Sequence, residues 1–218
     1  MDLNSQADNP VNARLVGQLN EGLARSGQTA GEYVKGTDWS TRVQENHSHL
    51  KAMQQNYDYI EDIYLITRDG TILYGVVDSD KLGPALFDGE AAQSRLTASV
   101  RYSLETGNAG FSDLEFSAPT DSLPTGYLTA PLKSATEDAI GIIAIQVQLD
   151  RIFQAATSGV DQDAKIHYLV GSDDLLRTPL TPGSTDEILK RHRKIDQLPG
   201  DAESSLHRHP ELGAGLDW

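Results

Sequence analysis

The sequence contains no cysteine, which excludes several kinds of site at once. Disulfides, cysteine-ligated zinc, iron–sulfur clusters and thiol nucleophiles all require that residue. Long apolar runs are also missing. None exceeds the four residues 142–145, whereas a membrane-spanning helix needs about 20. The first ten residues are polar and carry no basic segment, so they are not expected to act as a signal peptide.

Positive charge is scarce as well. The chain has 18 lysines and arginines against 32 acidic residues, a formal net charge of −14. Nucleic-acid binding needs clustered Lys and Arg, so we expect no nucleic-acid partner. The length of 218 residues and the 38% hydrophobic content suit one folded domain, or one domain with part of a second.

The beginning of the chain favours helices. Apolar residues recur every fourth position over residues 11–25, which predicts a helix that ends at Ser26-Gly27. A polar stretch over 28–38 separates it from a second predicted helix over 41–57. The narrow apolar stripe of the first helix indicates parallel dimerisation, so we expect a homodimer through this segment.

The middle of the chain changes to the period of strands. Strands are predicted at 62–67 and 71–77, and the Asp-Gly between them is a strong hairpin signal. A helix over 90–105 follows, and then strands at 110–116, 125–132 and 140–149. Both faces of the last strand are apolar at its start, which is typical of a central strand. This order predicts an α+β fold: a long N-terminal helix, then an antiparallel sheet flanked by helices.

The opening hairpin recurs about a hundred residues later. Residues 63–70 align without a gap on residues 167–174, and Asp69 coincides with Asp173. Chance also produces matches this short, but two copies of one unit is the reading we favour. A short helix is expected near 150–156 and another over 184–194. Too few residues follow the second hairpin for a complete second module. The predicted divisions are therefore a helical segment at 1–58, a sensor lobe at 59–157 and a reduced second lobe at 158–218.

These segments resemble the extracytoplasmic double-Cache family, the tandem PAS-like sensor domains of bacterial chemoreceptors, histidine kinases and diguanylate cyclases. The resemblance covers about residues 47–178. It is carried by the hairpin 62–74, Gly110-Phe-Ser-Asp113, Ala130-Pro131-Leu132 and the run from Ile140 to Ile152. Residues 168–177 resemble the opening hairpin of the membrane-proximal lobe. It implies a periplasmic sensor region of an inner-membrane receptor, with membrane helices and an output domain outside these residues.

No motif for catalysis, a metal or a cofactor emerges. An EF-hand loop starting at Asp78 would need ligands where Leu82 and Gly89 stand. The histidines at 192, 207 and 209 lie among arginines that would repel a cation. Phosphate loops, nucleophile elbows and a Ser/His/Asp arrangement are also missing. We therefore expect a region that is not an enzyme and needs no cofactor.

The resemblance places a ligand between the sheet and the segment 78–96. Polar and aromatic residues expected to face that segment form the predicted ligand site: Tyr74, Ser94, Arg95, Asp113, Tyr127, Thr129 and Gln146. Arg95 is predicted to fork onto a carboxylate; the alternative is that it pairs with a nearby acid. The expected ligand is a small metabolite, an organic acid or an amino acid. The competing hypothesis is a structural, dimerisation or protein-interaction module with a filled pocket.

Overall fold

A computed structural model describes residues 7–116, 123–134, 138–149, 151, 153, 168–180 and 184–191. Within them, a five-stranded antiparallel sheet has helices on both faces. The α+β prediction is confirmed. No described helix is both long and apolar enough to cross a membrane.

Two long helices pack side by side at the start of the chain. Helix α1, Pro10–Ser26, begins where Asn9 Oδ1 accepts a hydrogen bond from the Val11 amide, and ends at Gly27 in the left-handed conformation. Helix α3, Thr37–Asn56, begins earlier than predicted. Between them lies a short helix, α2, Ala30–Tyr33, which the polar sequence did not predict. Its capping box links Thr29 and Glu32.

The strands follow the predicted order. Their bounds are β1, Ile60–Thr67; β2, Ile72–Gly75; β3, Gly110–Glu115; β4, Thr125–Lys133; and β5, Ala139–Val147. In the sheet they stand in the order β2-β1-β5-β4-β3. The predicted central position of β5 is therefore confirmed, and so is the hairpin of β1 and β2.

The helix predicted over 90–105 is two elements, which corrects that prediction. A 3-10 turn spans Gly89–Gln93, and helix α4 spans Arg95–Thr106. Ser94 between them has extended backbone (φ −71°, ψ 151°), and its hydroxyl accepts from the Thr97 amide. The chain must break there because an N-cap residue cannot itself be helical.

The apolar stripe of α1 packs inside this chain. Leu15, Val16 and Leu19 are fully buried in the main core. A Cβ on Gly141 of β5 would come within 3.1 Å of a Val16 methyl, so helix and sheet touch closely here. The stripe is thus occupied by the sheet and is not an exposed dimer surface, which removes the observation on which the dimer prediction rested.

The two aligned hairpin turns share their backbone geometry. In the first, the Thr67 and Gly70 amides donate to the carbonyls of Thr71 and Thr67. The aligned bonds of the second run from Gly171 to Leu175 and from Asp174 to Gly171. Gly70 (φ 84°) and its counterpart Asp174 (φ 61°) are both left-handed. The turn itself therefore recurs, as the alignment predicts.

The helix predicted over 184–194 is wrong for the described residues 184–191. These residues form a turn in which Leu189 has φ 59°, a conformation that a helix does not allow. The Leu176 amide donates to the Lys190 carbonyl and the Leu189 amide to the Leu176 carbonyl, so the segment lies along the second hairpin. The helix expected near 150–156 lies almost entirely outside the described residues.

Candidate functional site

The loop after the first hairpin is held at its base by a buried carboxylate. Asp62 of β1 is only 2% exposed. Its two oxygens accept hydrogen bonds from the backbone amides of Ile63, Val76, Val77 and Asp78, at 2.6, 3.0, 3.0 and 2.9 Å. The Val76 amide also donates to the Ile63 carbonyl (3.2 Å), so the carboxylate extends the pairing with β1 past the end of β2 and ties residues 76–78 to the sheet.

Beside this anchor lies a group of polar side chains, here called the polar cluster: Tyr64, Lys81, Tyr127 and Gln146. The Tyr64 hydroxyl donates to Gln146 Oε1 (3.2 Å), and Lys81 Nζ lies 3.4 Å from the same oxygen. Lys81 Nζ is also 5.7 Å from the centre of the Tyr64 ring. The Tyr64 and Tyr127 ring centres are 6.3 Å apart. A cation from the loop thus meets two tyrosines and an amide of the sheet.

The cluster is buried at the sheet and open at the loop. Tyr64, Tyr127 and Gln146 are buried, whereas 37% of the Lys81 side chain is exposed. Lys81 Nζ lies 3.7 Å from Asp78 Oδ2, a long and exposed ion pair. Burial, followed by the nearby Asp62 charge, raises the pKa of Tyr64 far above its ordinary value. Its hydroxyl therefore stays protonated and remains a hydrogen-bond donor.

The predicted site residues do not all converge. Tyr127 and Gln146 belong to the polar cluster. The Tyr74 hydroxyl instead lies 2.8 Å from His47 Nδ1 on α3, so this side chain faces the N-terminal helices and not the loop segment. Thr129 is buried beneath α4, with its hydroxyl 2.7 Å from Ser99 Oγ and 2.9 Å from Ser103 Oγ. It fastens that helix to the sheet.

Of the other three predicted residues, Ser94 and Arg95 lie at the start of α4 and Asp113 lies on β3. Ser94 caps the helix. Arg95 makes two ion pairs, with Asp113 Oδ2 (2.5 Å) and Asp173 Oδ2 (3.2 Å). The structure therefore shows the alternative in which Arg95 is paired with acids of its own chain. Arg177 joins them, with its Nη2 2.5 Å from Asp113 and 2.8 Å from Asp173.

These contacts lower the pKa values of the two carboxyl groups. Burial alone would raise the pKa of Asp173, but hydrogen bonds from Arg177 and the Leu175 amide outweigh it and lower the value to about 2. The pKa of Asp113 is lowered in the same way, through Arg177 and its neighbours. Both acids therefore stay ionised at neutral pH and hold their arginines.

Sequence reasoning missed Asp62, Tyr64 and Lys81. A signal for each was present. Asp62 is an acid at the start of an apolar strand, and Tyr64 follows two residues later, on the same face. Lys81 is the single basic residue between 76 and 93. The position of this lysine over β5 depends on the path of the loop, which no local pattern encodes.

A separate cleft of about 410 Å³ lies between the end of α1 and the start of α3. Its charged groups already have partners. Arg42 Nε is 2.8 Å from Asp38, the Tyr33 hydroxyl donates to Asp38 (3.1 Å), and Arg25 pairs with Glu21. We assign it no ligand.

No protein-family model matches the sequence, and no curated protein matches it. Solved structures do. An extracellular ligand-binding receptor from Desulfohalobium retbaense superposes with a TM-score of 0.50 at 15% identity, over 85% of this chain and 32% of that one. The sensor domain of the histidine kinase DctB from V. cholerae superposes with a TM-score of 0.50 at 13% identity, over 82% of this chain and 67% of that one. This chain shares the fold of these two domains. This chain spans about a third of the length of the first of these proteins.

Proposed function

We propose that this chain is the periplasmic ligand-sensing region of a membrane-anchored receptor, and that it binds a small carboxylate at the polar cluster. The fold shared with extracytoplasmic sensor domains supports the role. The carrying observation is Lys81, whose ammonium group stands at the open side of an otherwise buried cluster of Tyr64, Tyr127 and Gln146. Convergent polar groups of this kind are what orient a ligand in small-molecule sites.

The chemistry of the cluster favours an anion. Among the described residues, Lys81 contacts Gln146 at long range, the face of the Tyr64 ring and Asp78 in a partly exposed pair, so a ligand carboxylate can replace Asp78 at little cost. The Tyr64 hydroxyl adds a second donor only when it turns from Gln146 Oε1, its present acceptor, to the ligand. The tyrosine rings offer an apolar wall for a short carbon chain.

An amino acid fits these groups less well. Its ammonium group needs an acceptor, and Asp62 already accepts four backbone hydrogen bonds. Asp78, the other acid next to the cluster, is released when a ligand carboxylate takes its place on Lys81, but its side chain is 38% exposed, so a pair with the ligand ammonium contributes little. We therefore place organic acids first and amino acids second among the two ligand classes.

The proposed role has no catalytic step. Binding changes the receptor only by the difference in ligand affinity between its conformations. The membrane segments and the output domain, whether a kinase, a cyclase or a chemotaxis signalling domain, belong under this proposal to parts of the receptor outside these residues.

Calorimetry and thermal unfolding test the proposal. The chain is titrated with acetate, pyruvate, succinate, malate, alanine and γ-aminobutyrate. At a hundred times its Kd, a bound acid adds about 2.7 kcal/mol of stability, which a melting curve resolves. Lys81→Met should abolish the response, whereas Lys51→Met, which removes an exposed lysine on α3, should leave it intact.

A response that survives Lys81→Met would move the site elsewhere. A response to alanine alone would reverse the order of ligand classes. No response from the folded chain would favour the competing hypothesis, a structural or protein-interaction module.

A further inference from the structure

The first turn of α4 is bound to the loop that covers the polar cluster. Thr97 is fully buried there. Its hydroxyl lies 2.7 Å from the carbonyl oxygen of Ala91 and 3.1 Å from that of Leu86. Both carbonyls belong to the segment 76–93, so the helix cannot move at this end without moving the loop.

The same turn is bound to the end of β3. The Glu115 carboxylate accepts hydrogen bonds from the amides of Arg95 (2.7 Å) and Leu96 (3.0 Å), which a helix leaves unpaired in its first turn. A negative charge at this position is also favoured by the helix dipole. The orientation of Arg95 is thus fixed by its own backbone.

From this turn, four charged side chains form a closed ring that reaches the second hairpin. Arg95 pairs with Asp113 and Asp173, and Arg177 pairs with the same two acids. Only 9% of the Arg177 side chain is exposed. Leu114, Leu149 and Ile188 pack together as a small apolar cluster, separate from the main core, that joins residues 184–191 to the ends of β3 and β5. The second hairpin is therefore docked by a ring of ion pairs and a minor core.

We propose that the first turn of α4 couples the loop over the polar cluster to the hairpin of residues 168–180. The path has two links. Thr97 transfers a displacement of the loop to the helix, and the ring of Arg95, Asp113, Arg177 and Asp173 transfers it to the hairpin. Any such coupling is reciprocal, so loosening the ring must also loosen the loop. Its use in signalling rests on the proposed function, but the coupling itself is measurable without a ligand.

Hydrogen exchange on the intact chain tests both directions. Arg177→Gln opens the ring of ion pairs without altering any residue of the loop. We expect faster exchange at the Gly83 and Leu86 amides, which donate to the carbonyls of Ile72 and Gly70. Thr97→Val replaces the hydroxyl by a methyl group, and should accelerate exchange at the Gly171 and Arg177 amides, which donate to the carbonyls of Leu175 and Leu169. The expected change is about fivefold or more, the lower end of usual couplings.

Two controls make the result specific. Arg25→Gln removes an exposed pair with Glu21 on α1 and should change neither segment. Arg177→Lys keeps the charge but loses the forked geometry, so it should give a smaller change of the same sign; it also serves if Arg177→Gln does not fold. The coupling is refuted if either ring variant accelerates only residues 168–191. Absence of carboxylate binding by the unsubstituted chain in the calorimetric test would refute the proposed function and leave this result standing.

Discussion

The two faces of the sheet are covered by different chemistry. On one face, α1 and α3 bury aliphatic side chains, among them Leu15, Leu19 and Leu50. On the other, α4 and the loop bury hydroxyls, an amide and a carboxylate, through contacts such as Thr129 with Ser99 and Tyr64 with Gln146. The face covered by α1 and α3 supports the sheet through apolar packing. The face covered by α4 and the loop holds the polar groups that can recognise a ligand.

The difference has an energetic side. Burial of an aliphatic side chain stabilises by about 1.5–3 kcal/mol through contacts that have no preferred direction. A buried hydrogen bond adds only about 0.5–1.5 kcal/mol, yet leaving one partner unpaired costs about 1–3 kcal/mol. The polar face is therefore the one whose stability depends on exact pairing, and the one that a small displacement can disturb.

The largest expected effect is on the aliphatic face. Leu19→Ala removes a fully buried side chain from the contact of α1 with the core. We expect a loss of about 2–5 kcal/mol in the free energy of unfolding, measured in urea. Carboxylate affinity of the remaining folded protein should be unchanged. A loss below about 1 kcal/mol would mean that α1 contributes little to the core.

A smaller and more local effect is expected at the base of the loop. Asp62→Asn replaces one acceptor oxygen by an NH₂ group that faces backbone donors, which should cost about 1–3 kcal/mol. Cleavage within residues 76–93 should accelerate under limited proteolysis, while α1 and α3 stay resistant. Asp80→Asn, at an exposed acid of the same loop, is the matched control. Equal protection in both variants would show that Asp62 does not anchor the loop.

The smallest effect concerns pH. The pKa of Asp173 falls from 3.8 to about 2 on folding. A carboxyl whose folded pKa is lowered contributes stability above its unfolded pKa, and loses it as the pH falls through the folded value. Docking of the second hairpin should thus weaken between about pH 4 and pH 2, seen as faster exchange at the Gly171 amide. Asp173→Asn should flatten this dependence; an unaltered profile would assign it to other acids.

Local patterns predicted the strands because alternation and an Asp-Gly turn are encoded by neighbouring residues. The break at Ser94 was missed since the apolar stripe of α4 continues past the cap, at Ala92. Arg95 was assigned to a ligand because its partner Asp173 lies 78 positions away. Such pairings depend on how the second hairpin folds back, and a single sequence does not show that.

The way Asp62 holds the loop makes the recognition segment exchangeable. The Asp62 carboxylate accepts hydrogen bonds from peptide N–H groups, which every residue except proline possesses. Val77, one of the anchored residues, is 63% exposed. The side chains at 77 and 78 can therefore be replaced without redesigning the anchor, as long as neither becomes proline, whereas Val76 also packs against the main core. In the design of biosensors, loops of other specificities can therefore be grafted at the Asp62 anchor.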